Sequence, residues 1–275
     1  SERKMHSSEV TMTRERHIAQ FGIGLFVFIA LGLLLYGRIG QPADYHQFAE
    51  IRELAGIPNG WNVVSNLAFI WAGWAGIYFH GRLRDTPRLP DGNGAFILLI
   101  VGSMFTALGS AYYHAFPSNE SLVWDRIPMT ICFSAIFAEF VAIHVHATWE
   151  KYILPPMLVL GVLSVLYWKW TGTLGADDLR PYIMVQFFPL LLIPLTVLLF
   201  PSGSAHSSDW TKALVWYGVA KIFEFADQFI FALSNDLMSG HTLKHVASGI
   251  AVAYALRGMY RRRNITEVDA PLATT

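Results

Sequence analysis

The sequence predicts an all-α fold: a polytopic transmembrane helix bundle with a seven-helix core and one extra N-terminal helix, eight spans in all. Three observations carry that reading. Of 275 residues, 53% are hydrophobic and only 15% are charged, against about 25% charged in soluble domains. The mean hydropathy is +0.39. Apolar runs of about 20 residues recur along the chain, each long enough to cross a hydrocarbon core of about 30 Å. The formal net charge is zero, so bulk charge points to no nucleic acid and no acidic partner. The single cysteine, Cys132, lies in an apolar run, excludes an internal disulfide and reads as a buried structural thiol.

In chain order, residues 1–17 are polar and predicted to be a disordered cytoplasmic segment. The first span, 18–37, follows Arg14 and Arg16; it is longer than a usual signal-peptide core and has no small-x-small cleavage site, so it reads as a retained helix. The core spans follow at 61–80, 94–114, 126–146, 152–170, 181–200, 210–233 and 241–260, forming with the first a single membrane domain over 18–260. Trp61, Tyr112, Tyr113, Trp124, Trp149, Tyr167, Trp168 and Trp170 gather at span ends, as an interfacial aromatic belt does. The tail 261–275 is predicted to be disordered and cytoplasmic.

Basic residues in short loops set the orientation. Arg3, Lys4, Arg14 and Arg16 precede the first span, Arg82, Arg84 and Arg88 separate the second and third, and Arg257, Arg261, Arg262 and Arg263 close the last. In an eight-span arrangement these groups share one side, the cytoplasmic side, with both termini. The acidic loops, holding Asp44, Glu50 and Glu53 or Asp177 and Asp178, take the other.

On that topology the third span ends outside at Ser110-Ala-Tyr-Tyr-His114, the fourth begins outside at Asp125, and the last begins outside at His241-Thr-Leu-Lys-His245. Bare imidazoles, a hydroxyl and a carboxylate at membrane depth are costly unless they pair or hold a metal. Residues four apart share a helix face, so His241 and His245 can offer nitrogens to one ion. Three neutral imidazoles around Zn²⁺ leave a fourth position for water, whose pKa falls to about 7. Asp125 could then relay a proton and Ser110 could donate to an oxyanion. A lone His-x3-His pair more often caps or pairs; convergence from separate segments favours the metal. His80, His144 and His146 lie near the opposite face without helical spacing, and His6, His17, His46 and His206 support nothing specific.

These motifs resemble the alkaline ceramidases. Gly109-Ser110-Ala-Tyr-Tyr-His114, Asp125-Arg-Ile-Pro128-Met129 and the interval between them resemble that family's central signature. His241-x3-His245 with Ser248-Gly249 resembles its closing segment, Asn62-Val-Val-Ser65-Asn66-Leu67 its first core helix, and Asp227-Gln228 its penultimate helix. The same zinc logic is shared with adiponectin/progestin-type receptors and with remodellers of lipid anchors. The resemblance implies a seven-helix intramembrane hydrolase with Zn²⁺ on His114, His241 and His245, with Ser110 and Asp125 in the remaining catalytic positions. It implies zinc-hydroxide attack on the amide of ceramide or a related N-acyl lipid, giving a fatty acid and an amine.

The sequence departs from the animal enzymes in three places. Their acidic, Trp-containing calcium segment is missing, and Asn59 stands two before Trp61; Asp44, Glu50 and Glu53 could bind Ca²⁺ but fit a solvated loop better. The aromatic pair inside their closing dyad is Leu243-Lys244 here, where Lys244 could snorkel to the interface, favour an anionic head group or anchor the helix. Tyr45-His46-Gln47-Phe48-Ala49-Glu50 looks more like a bacterial branch, which favours a bacterial inner membrane over ER or Golgi.

Lys221, Glu224 and Asp227 recur every three residues; the first two fit a structural pair, while Asp227 fits either an orienting partner of a zinc-bound imidazole or helix glue. Glu139 has no role in this reading. The alternatives are a receptor-like protein with structural zinc and an ester-cleaving lipid remodelling enzyme. A proton-relay transporter lacks an evident repeat, and a retinal protein lacks a mid-span lysine in its last helix. Oligomeric state is not legible.

Overall fold

A computed structural model describes residues 2–83, 92–200 and 207–264. Arg84, Arg88, His206 and the tail beyond Asn264 lie outside the described residues, as do the side chains of Arg3, Lys4 and His6. The chain is a helix bundle: α1 (Glu2–Tyr36), α2 (Gly60–Val64), α3 (Leu67–Gly81), α4 (Gly94–Ala115), α5 (Asn119–His144), α6 (Glu150–Thr173), α7 (Arg180–Leu199), α8 (Ser207–Phe225), α9 (Asp227–Leu233) and α10 (Gly240–Arg263). The backbone of α1 is helical from Glu2, through the polar stretch for which the sequence predicts no order; that stretch contains no Gly or Pro to stop a helix propagating out of the apolar run.

Five segments are long and apolar enough to cross a membrane: Met12–Tyr36, Gly94–Ala115, Asn119–His144, Ala147–Thr173 and Arg180–Leu199. The other three predicted spans correspond to α2–α3, α8–α9 and α10. The first is broken because Ser65 Oγ and Asn66 Nδ2 bond back to the carbonyl of Asn62, competing with the helical ladder. The second is broken at Ala226, just before Asp227. These polar, interrupted helices meet at the histidines, whereas α6, α7 and α1 turn Leu160, Leu163, Leu191, Leu198, Phe28 and Leu35 outward. Such an apolar exterior suits lipid, not water.

α10 is the central helix, packed on α3, α4 and α8, while α1 leans on α7 at the periphery. α5 begins with a capping box in which Ser118 accepts from the backbone N–H of Ser121 and Ser121 reaches back. Asp125 therefore sits in the second turn of α5 rather than at the start of a span. Trp61, Trp124, Trp149 and Trp170 are exposed, as a belt requires, but Tyr113 and Trp168 are 2% exposed and belong to a core with Phe48, Leu122 and Tyr182. That is a correction to their reading as interfacial anchors: the segment 37–59 folds over them.

At the far end of α10 the charges are paired. Glu139, fully buried, accepts from Arg262 Nε (2.9 Å) and from both Arg263 Nη atoms (2.8 Å each). Glu150 accepts from the Ala95 N–H at 2.7 Å and meets Arg263 at 3.4 Å. Asp209 takes Arg257 at 2.7 Å and Arg261 at 3.2 Å. The arginines that mark orientation in the sequence thus also bind α10 to α5, α6 and α8, which gives Glu139 its role.

Candidate metal centre

His114 closes α4, and His241 and His245 open α10. Close approach of the helices makes the meeting possible. A Cβ at Gly109 would run into the Trp124 carbonyl, so glycine lets α4 and α5 touch beside Ser110 and Asp125. A Cβ at Gly240 would strike the Phe223 carbonyl and the Asp227 backbone, so glycine lets the start of α10 enter the α8–α9 break.

The three imidazoles face one another, with ring centroids 4.7 Å (His114–His241), 4.9 Å (His114–His245) and 4.9 Å (His241–His245) apart. One ring nitrogen from each lies within 4.8 Å of the others, and all three side chains are buried. His114 Nε2 and His241 Nε2 are 3.2 Å apart. A tetrahedral zinc with Zn–N near 2.0–2.1 Å sets its ligand nitrogens about 3.3–3.4 Å apart. The donor set and spacing fit Zn²⁺.

The His245 ring is held from behind, while His114 and His241 are held through their main chains. Ser65 Oγ lies 2.8 Å from His245 Nδ1 and 3.1 Å from the Asn62 carbonyl. With its single proton directed at that carbonyl, the hydroxyl accepts from Nδ1–H and leaves Nε2 as a lone-pair donor, as ligating histidines require. Asn59 Nδ2 donates to the His114 carbonyl at 2.8 Å. Asp227 accepts from the backbone N–H of His241 (2.7 Å) and of Ala49 (3.0 Å). It positions His241 through the main chain rather than through the imidazole, the route the sequence suggests. Asn62 Oδ1 accepts from Thr242 Oγ1 at 2.9 Å, and its Nδ2 donates to the Glu50 carbonyl at 3.2 Å, tying α2 to α10 and to the preceding loop.

Sequence reasoning missed that loop. His46 meets Tyr113 Oη at 2.9 Å and Asn119 Oδ1 at 3.1 Å. Phe48 stacks edge-on against His114 and His241, centroids 4.7 and 4.9 Å away, and covers the triad. The signal was present as Tyr45-His46-Gln47-Phe48-Ala49-Glu50, but an acidic loop gave no reason to expect burial. Glu50 is buried and paired with Arg52, so the solvated-loop expectation fails there. Among the described residues the histidine triad is the one group of three or more His, Cys, Asp or Glu side chains close enough to share an ion. Asp44, Glu50 and Glu53 form no such group for Ca²⁺.

Ser110 and Asp125 are both buried. With His245 and Lys244 they line one cavity, whose remaining wall is largely apolar: Phe69, Met129, Phe133, Ile136, Leu190 and Ile193 among others. α7 and α8, consecutive in the chain, scarcely touch along it. Gln186 Nε2 donates to Tyr217 Oη at 3.3 Å across that seam. Lys244 does not snorkel; its Nζ bonds Glu224 at 2.8 Å, and Lys221 pairs with the same carboxylate, as expected of Lys221 and Glu224.

No curated protein matches this chain. The sequence does match the Ceramidase family over residues 54–223, a stretch that includes Ser110, His114 and Asp125 and ends before His241 and His245. With well over half its length inside that match, the chain belongs to the Ceramidase family.

Proposed function

We propose that this protein is a zinc-dependent hydrolase that cleaves the amide of ceramide or a related N-acyl lipid inside the bilayer. The observation that carries the reading is the meeting of His114, His241 and His245, brought from two helices into one buried cluster. Family membership supports amide hydrolysis of a lipid.

His114, His241 and His245 would hold the ion. Bound there, Zn²⁺ supplies Lewis acidity and makes hydroxide available near neutral pH. The chain's own groups do the rest. Asp125 takes the proton released as the carbonyl is attacked and delivers it to the departing amine nitrogen. Ser110, which lines the same cavity as Asp125, turns its hydroxyl to the carbonyl oxygen as negative charge develops. Phe48 excludes bulk water from one side, so a lipid approaches sideways, through the α7–α8 seam, and lays its chains along the apolar wall. The reading includes eight spans in one domain over 18–260, with both termini cytoplasmic and the histidines toward the non-cytoplasmic leaflet.

Purified protein is expected to contain one zinc per chain and to release fatty acid from an N-acyl lipid. Asp125→Asn is expected to lower kcat by about 10²–10⁴-fold with metal content unchanged. Loaded wild-type protein that binds zinc but hydrolyses neither amides nor esters would leave a structural zinc site instead.

A further inference from the structure

Near the histidines lies a buried cation held by an amide and by aromatic rings rather than by an ion pair. Arg126, next after Asp125 on α5, is 4% exposed. Its hydrogen bond runs from Nη2 to Gln41 Oε1 at 2.6 Å, and it forms no ion pair among the described residues. The guanidinium is boxed by rings: Cζ lies 4.2 Å from the centroid of Trp168, 4.8 Å from Tyr182 and 5.5 Å from Tyr45. The other buried cations near the bundle axis, Lys244 and Arg263, have carboxylates.

The unmet valences around Arg126 all have one sign. Arg126 Nη1, Gln41 Nε2 and Trp168 Nε1 are buried and find no acceptor. All three are donors, and Gln41 and Trp168 both touch the guanidinium. Buried donors without acceptors are rare in folded proteins and call for a missing partner. The neighbouring acids make no ion pair with it: Asp125 lines the cavity beside Ser110, and Asp177 accepts from the Gln41 N–H at 2.6 Å. A water molecule would accept here but would bring two protons of its own into a donor-only site. An anion brings none and neutralises the buried charge.

We propose that Arg126 Nη1, Gln41 Nε2 and Trp168 Nε1 form a closed site for a small inorganic monoanion of chloride size. The rings of Tyr45, Trp168 and Tyr182 crowd the guanidinium, which suits a small ion better than a head group. Gln41 and Tyr45 belong to the segment that carries Phe48 onto the histidines, so the anion clasps that cover to α5, α6 and α7. The site stands independently of hydrolysis.

The test is thermal unfolding of the full chain in a non-ionic detergent while sodium chloride replaces sodium gluconate at constant ionic strength. Gluconate is far larger than chloride. The expected result is a saturable rise in Tm of about 5 °C or more at a hundredfold excess over Kd, absent in Arg126→Met. Trp168→Phe keeps the ring and removes one donor; its half-saturating chloride concentration should rise roughly tenfold. That variant decides the matter should Arg126→Met fail to fold. A wild-type Tm indifferent to chloride overturns the proposal, as does an undiminished chloride response in Trp168→Phe. So does stabilisation by phosphatidylglycerol micelles without any by chloride.

Discussion

The two ends of α10 are built by opposite rules. At the Arg257–Arg263 end, Glu139, Glu150 and Asp209 meet four arginines with nearly every donor matched. At the His241–His245 end, three buried imidazoles face each other with lone pairs and no acid between them, and His114 Nδ1 has no partner at all. Both ends carry polar groups in an apolar setting, where each unmet group is costly. The contrast separates polar residues that hold a bundle together from polar residues kept ready for something else.

The largest effect expected from that contrast is on stability at the paired end. Glu139→Ala removes the buried carboxylate that Arg262 and Arg263 share, a loss of about 3–5 kcal/mol, read by unfolding of the purified protein in detergent. His245→Leu in metal-free protein should cost far less, because it removes an unmatched polar group. A Glu139→Ala protein as stable as wild type would erase the distinction between the ends.

Metal narrows the gap at the histidine end. Zinc bound at a hundredfold excess over its Kd adds about 2.7 kcal/mol to folding stability, and chelation should remove that increment. In His245→Leu, zinc and chelator should both leave the unfolding midpoint where it is. If chelation shifts His245→Leu as much as wild type, the ion sits elsewhere.

A finer probe leaves the ligands in place. Ser65→Ala removes the acceptor behind His245 Nδ1, 2.8 Å away, and should weaken zinc binding about 10–100-fold in a competition titration. Stability of the metal-free protein should hardly change. An unaltered affinity would mean that packing alone orients the ring.

How much of this was legible in the sequence follows from the range of the forces involved. The histidines, Ser110 and Asp125 could be grouped because helical spacing and span direction are local properties that fix depth. Five of the eight spans the sequence predicts announce themselves by hydropathy; α2–α3, α8–α9 and α10 are diluted by the polar residues that build the site. What could not be read was tertiary. Glu139 looks anomalous until Arg262 and Arg263, over a hundred positions later, fold onto it. Phe48 and His46 look like loop residues until Asp227 and Asn62 hold their segment over the triad. Tyr113 and Trp168 have belt-like positions, and only that same segment buries them.

An intermediate case lies at the histidine end itself, and it gives the smallest effect. Glu224 is shared by Lys221 and Lys244, whose side chains are 27% and 20% exposed. Removing one lysine leaves the carboxylate paired by the other, so Lys221→Met should cost no more than an exposed helical pair, about 0.2–0.5 kcal/mol. Glu224→Gln instead leaves two ammonium groups facing one another beside the cavity and should cost several times more. The asymmetry matters more than either number. At the paired end, where Glu139 anchors two arginines, the same logic runs with full burial and a large penalty; here partial exposure lets solvent absorb it. Equal losses for Lys221→Met and Glu224→Gln would show that the cluster behaves as a rigid triad, and partial exposure would then not be what softens the penalty.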